Sequence, residues 1–165
     1  MKLIHPAVLA AIFSLSTPLS SAADTAQLER GAYLSVIMDC AGCHMPRDRD
    51  GAPIFEAGLS GGTIGFELPG LGVFWAPNLT PDATGLGGWS KDDIVQAIRY
   101  GERPDGRILA PVMPWPAYSQ LTDVDVDALV TFLMSMEPVE TTRFGPEHSA
   151  EAVSAPFYRV VLPAD

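Results

Sequence analysis

Both cysteines of the chain and one of its three histidines stand together in the hexapeptide DCAGCH, residues 39–44. Cys40, Cys43 and His44 offer two thiols and an imidazole, a set that suits four chemistries: a zinc half-site, a redox dithiol, a structural disulfide, or covalent attachment of haem. A zinc site takes about four ligands, and beyond a leader only His44, His148 and carboxylates remain to complete one. A redox dithiol belongs in a thioredoxin-like βαβ setting, whereas the pattern around this motif is helical. A disulfide is the plain alternative for an exported protein with two cysteines. It would close a very small loop, which stabilises little, and it leaves His44 unexplained. The order C-x-x-C-H favours haem. Two thiols at this spacing add to the two vinyl groups along one edge of the macrocycle, and the next residue, His44, then lies under the iron.

An electron-carrying haem needs a ligand on its far face as well. Met45 adjoins the proximal histidine and cannot reach that face. Met38 falls on the attachment helix, and Met134 and Met136 fit the last helix as core residues. Met113 sits in APVMPWPAY, where Pro111, Pro114 and Pro116 forbid regular helix and stiffen the backbone. Presented from a rigid loop just before the last helix, Met113 is the favoured distal ligand. A methionine filling an apolar gap, or His148 as the ligand, are the alternatives. His/Met ligation raises the reduction potential relative to bis-histidine.

Three helical segments must position these residues. The first is expected after Asp24, with Leu28, Ala32, Val36 and Cys40 on one stripe. The second, SKDDIVQAIRYG, opens on a Ser90/Asp93 capping pair and stops at Gly101. The third opens on Thr122 and Asp125 and stops at Pro138, with Val126, Leu129, Val130, Leu133 and Met136 as its core stripe. Ten of the fifteen glycines lie between Gly51 and Gly88. Within that loop, TIGFEL and GVFWA flank Pro69-Gly70-Leu71 in a pattern compatible with a small β-hairpin. A loop this long in a compact domain packs over something functional. The segment after Glu140 has little periodicity and is expected to wrap the surface irregularly.

The chain opens with a short positive start, an apolar run over residues 7–15 and a small-residue stretch ending in Ala22 and Ala23. This reads as a secretory signal peptide, too short to span a bilayer. The expected organisation is a signal peptide over residues 1–23, a monohaem domain over 24–139 and a tail over 140–165, with export to the periplasm and no membrane anchor in the mature chain. Removing the leader leaves nine basic against twenty acidic residues, a net charge near −11. That balance argues against nucleic acid and suits a partner with a basic patch, although acidity also simply keeps a protein soluble.

The stretches RGAYL…CAGCH, GG followed by GVFWAPN, WAPNLTPDATGLGGWSKDDIVQAIRYG and DGRILAPVMPWPAYSQLTDVDVDALVTFLMS cover residues 30–137. They resemble the class I c-type cytochromes. More closely, they are similar to the haem domains in cytochrome subunits of bacterial membrane-bound alcohol and gluconate dehydrogenases. The resemblance implies an all-α fold of three to four helices around one covalent haem c. It makes Cys40 and Cys43 the attachment residues, His44 the proximal ligand and Met113 the distal one. It puts Gly31, Tyr33 and Phe132 at a helix crossing, and Trp75, Trp115 and Tyr118 in the pocket wall. Asn78 and Trp89 are expected at the haem edge and its propionates. Arg99 or Arg107 is expected either to pair with a propionate or to stay a solvated surface charge. Those subunits carry three haem domains and a membrane-binding end, whereas this chain has one motif.

The function expected is transfer of single electrons from a dehydrogenase to another cytochrome or a terminal oxidase, without catalysis by the chain itself. The competing expectation is a haem enzyme or ligand-sensing cytochrome whose distal methionine is labile.

Overall fold

Asp39 is where the first helix gives way to the CAGCH motif. The computed structural model describes residues 19–142 and 144–163, and side chains from residue 22 onward. Helix α1 (Leu19–Ile37) is followed by the single turn α2 (Cys40–His44), which is the CAGCH motif itself. Between them Asp39 adopts φ 53°, the one left-handed non-glycine among the described residues. This is a conformation that aspartate tolerates better than most residues. Residues 1–18 of the expected leader lie outside the described residues, while Ala22 and Ala23 fall in the exposed first turns of α1.

Helix α3 (Lys91–Tyr100) has the expected cap. Ser90 accepts from the Asp93 N–H while the Asp93 carboxylate accepts from the Ser90 N–H, and Gly101 closes the helix at φ 70°. A single turn, α4 (Trp115–Tyr118), precedes α5 (Asp123–Ser135), whose Thr122 cap accepts from the Asp125 N–H. Val126, Leu129, Val130 and Leu133 are buried and Met136 packs against them.

The stripe expected on α1 is rotated. Gly31, Leu34 and Ser35 face the core, whereas Val36 is 74% exposed. The cause is the crossing with α5. A Cβ at Gly31 would come within 2.1 Å of the Ala128 carbonyl oxygen and 2.6 Å of Phe132 Cβ, so only glycine allows this approach. Gly31 and Phe132 thus meet at the crossing. Tyr33 lies outside it, 55% exposed, with the Arg30 guanidinium over its ring.

The fold is helical with a small sheet rather than helical throughout. Strands β1 (Gly65–Leu68) and β2 (Gly72–Phe74) form the hairpin around Pro69-Gly70-Leu71, in register Phe66 with Phe74. A third strand, β3 (Phe157–Tyr158), comes from the segment expected to be irregular and pairs parallel with β1, giving the order β2-β1-β3. That segment is tied down along its length. Glu147 exchanges both backbone hydrogen bonds with Val73, Phe144 stacks near Trp75, and Arg159 pairs with Glu67. No helix among the described residues is long and apolar enough to cross a membrane.

Candidate haem-binding site

The left-handed turn at Asp39 starts α2 afresh, so that Cys40, Cys43 and His44 share one helical turn. The Asp39 carboxylate folds back over Gly42, where a Cβ would lie 2.3 Å from its Oδ2. Both thiols are free. Burial raises the Cys40 pKa to about 11, with Asp39 and Cys43 adding to the rise. Burial first and the Asp39 charge second raise that of Cys43. These are neutral thiols rather than activated thiolates.

His44 is 7% exposed. Its Nδ1 stands 2.7 Å from the carbonyl oxygen of Pro77, and burial lowers its pKa, so the neutral ring donates from Nδ1 and keeps the Nε2 lone pair available to a ligand. The long glycine-rich loop supplies that orientation. Gly61 N–H donates to the His44 carbonyl (2.8 Å), Gly62 N–H donates to the Ala76 carbonyl (2.9 Å), and Pro77 follows directly. Gly62 is pressed so closely on the motif that a Cβ would come within 2.2 Å of the Cys43 carbonyl oxygen.

Met113 is half-buried in a turn between α3 and α4. Its N–H donates to the Ala110 carbonyl (3.1 Å) and its carbonyl accepts from Trp115 N–H (2.9 Å). The turn is anchored twice. The Trp115 indole covers Gly101, where a Cβ would lie 2.8 Å from the ring. Tyr118 Oη donates to the Met38 carbonyl oxygen at 2.9 Å. Burial pushes the Tyr118 hydroxyl up to about 12, and its closeness to Cys40, Cys43 and Asp39, which would all be anionic by the pH at which it ionises, pushes the same way. The segment carrying Met113 is therefore fastened beside the two cysteines.

The remaining residues expected at the site divide. Asn78 is 5% exposed and fully employed within the protein. Its Oδ1 accepts from the N–H and hydroxyl of Thr80, and its Nδ2 donates to Thr84 Oγ1 and to the Val139 carbonyl. Arg99 holds the start of α5 through Asp123 Oδ1 (2.8 Å) and the Leu121 carbonyl. Arg107 lies on the surface, paired with Asp105 at 2.6 Å. Trp89 is half-buried against the core, and the cation over its ring is Arg103, 5.1 Å from the centroid, with a side chain only 13% exposed. Arg103 stands midway between Arg99 and Arg107 in sequence and was not among the residues expected at the site. Pro77 was also missed, since a backbone acceptor leaves no mark in side-chain chemistry. His148 follows Glu147 on the outer edge of β2, exposed. Among the described residues no three His, Cys, Asp or Glu side chains group to hold a metal ion, as the zinc reading would need.

The family model described as Cytochrome c matches residues 28–137, two thirds of the chain. The chain belongs to the cytochrome c family. This cytochrome is 36% identical over 126 residues to the fructose dehydrogenase cytochrome subunit of Gluconobacter japonicus, covering 74% of this chain and 24% of that one. It is 35% identical over 135 residues to the gluconate 2-dehydrogenase cytochrome c subunit of Pantoea cypripedii, covering 81% and 28%. A diheme cytochrome c-type protein of Cereibacter sphaeroides is 33% identical over 127 residues, covering 74% and 40%. The chain thus spans about a quarter of the length of the first two relatives.

Membership implies covalently bound haem c, and the residues present fit it. Two neutral thiols three apart, a buried imidazole with Nδ1 already engaged, and a glycine cradle at Gly61-Gly62 meet at one turn. The buried indole N–H groups of Trp75 and Trp115 have no acceptor among the described residues, which leaves donors for an incoming acceptor group.

Proposed function

We propose that this cytochrome is a periplasmic, monohaem electron-transfer protein. In this reading it receives single electrons from a dehydrogenase and passes them to a second cytochrome or a terminal oxidase. The observation that carries the reading is the His44 ring, buried and fixed through Nδ1 by Pro77, on the same turn as Cys40 and Cys43. Haem c, when bound, supplies reversible one-electron chemistry at its iron. Cys40 and Cys43 would hold it by thioethers, and His44 Nε2 and Met113 Sδ would be the ligands to its iron. A neutral, well-oriented imidazole and a tethered thioether resist rearrangement between oxidation states, which favours fast electron transfer over ligand chemistry. Arg103, stacked on Trp89, and the indole of Trp115 are the propionate partners in this reading. Asn78, Arg99 and Arg107 serve the scaffold. The dehydrogenase partner is supported by the relatives, which are cytochrome subunits of fructose and gluconate dehydrogenases.

The test is spectroscopic. Covalent haem gives a stained band on a denaturing gel at one haem per chain. The oxidised protein is expected to show the charge-transfer band of a methionine–iron bond, and the reduced protein to leave CO unbound. Ready CO binding by the unmodified protein would replace the carrier reading by that of a ligand-binding or catalytic cytochrome.

A further inference from the structure

The turn that bears Met113 is positioned by what lies on either side of it. On one side, Met113 and Trp115 share a backbone hydrogen bond, and Trp115 rests on Gly101 at the end of α3. On the other, α4 runs Trp115 to Tyr118, with Tyr118 N–H donating to the Pro114 carbonyl at 3.2 Å, so displacement of Tyr118 is passed along one short turn to Met113. The acceptor of the Tyr118 hydroxyl is Met38, one residue beyond α1 and two before Cys40. A carbonyl at the end of a helix lacks an intrahelical donor, and the tyrosine provides one across a sequence separation of 80 residues.

We propose that Tyr118 is a positioning residue for the sixth iron ligand: its hydroxyl bond to Met38 locks the Met113 turn against the segment that carries Cys40, Cys43 and His44. The inference rests on Met113 being that ligand. Without the hydroxyl, the Met113 turn keeps its anchor on α3 but loses its anchor on the attachment segment. The thioether then leaves the iron more often while the haem stays covalently held.

The experiment uses the holo-protein and three substitutions. Tyr118→Phe keeps the ring that packs on the core and removes only the hydroxyl. It is expected to stain for haem normally, to lose the charge-transfer band at lower temperature and lower pH than the parent, and to bind CO in the reduced form about tenfold faster, the equivalent of one net hydrogen bond. Ser90→Ala removes the distant α3 cap, lowering stability without touching the tether, and is expected to leave CO kinetics unchanged. Met113→Leu is expected to abolish the band. Unchanged band and CO kinetics in Tyr118→Phe overturn the inference, as does an equal acceleration in Ser90→Ala, which would mark general loosening. A band that survives Met113→Leu overturns the ligand assignment itself and the inference with it.

Discussion

At the scale of single residues, the site is built by close approaches that only certain side chains permit. Gly62 shows this most sharply, since its missing Cβ leaves room for the Cys43 carbonyl and lets the loop deliver Pro77 to His44. A methyl group there must push the loop from the motif. We expect Gly62→Ala to destabilise the holo-protein by about 1–3 kcal/mol, the usual cost of overpacking. Gly88→Ala, with no neighbour in reach of its Cβ, should stay within about 0.5 kcal/mol. Denaturant unfolding of the two variants checks the contrast, and equal losses would refute it. The motif residues were legible because their spacing is itself chemistry. Pro77 was not, because what it contributes is a carbonyl oxygen that every residue possesses. Arg99 and Arg107 were expected either at a propionate or as surface charges; Asp123 and Asp105 engage them, and the side chain stacked on Trp89 belongs to Arg103.

At the scale of elements, α3 and α5 were legible almost residue by residue, because each begins with a hydroxyl cap and ends at a glycine or proline. Helix α1 was misread in rotation, since a glycine-mediated crossing can place the apolar Val36 outside and Ser35 inside. The segment after Glu140 was expected to wrap the surface irregularly, and its pairing was not legible because backbone bonds to β1 and β2 and the Thr141 N–H bond to Thr84 Oγ1 have no periodicity. The α1–α5 crossing carries a pH signature. Asp125 accepts from Arg30 across it at 2.8 Å, and the Arg30 guanidinium first and the Thr122 hydroxyl second hold its carboxyl below the ordinary value of 3.8. A depressed carboxylate contributes stability above its unfolded-state pKa, and that contribution fades as pH falls through the folded-state value. Asp125→Asn should therefore melt below the parent at pH 7, with the two curves converging once the pH passes below 3.8. A deficit that persists undiminished in acid would mean that lost packing, not lost charge, is responsible.

At the scale of the whole molecule, charge decides how partners arrive. Twenty carboxylates stand against ten basic residues, and Arg30, Arg99, Arg107 and Arg159 are each paired locally with a carboxylate. The field beyond the surface is therefore strongly negative, and it should govern encounter rates rather than the fold. Small redox complexes of opposite charge isolate this effect, because they exchange electrons with the haem without specific docking. Reduction by a hexaammine ruthenium cation should slow as salt rises, by on the order of tenfold between low and high ionic strength, as the Debye length shrinks below the size of the protein. Oxidation by the ferricyanide anion should instead accelerate with salt. Stopped-flow rates across a salt series provide the measurement. Parallel slopes for the two probes would show that the exposed acidity lies too far from the electron-transfer edge to steer anything, and a dehydrogenase partner would then have to be recognised by shape and apolar contact. Opposed slopes would mean that a basic face on the physiological donor gains encounter rate directly from the charge already visible in the composition of this chain.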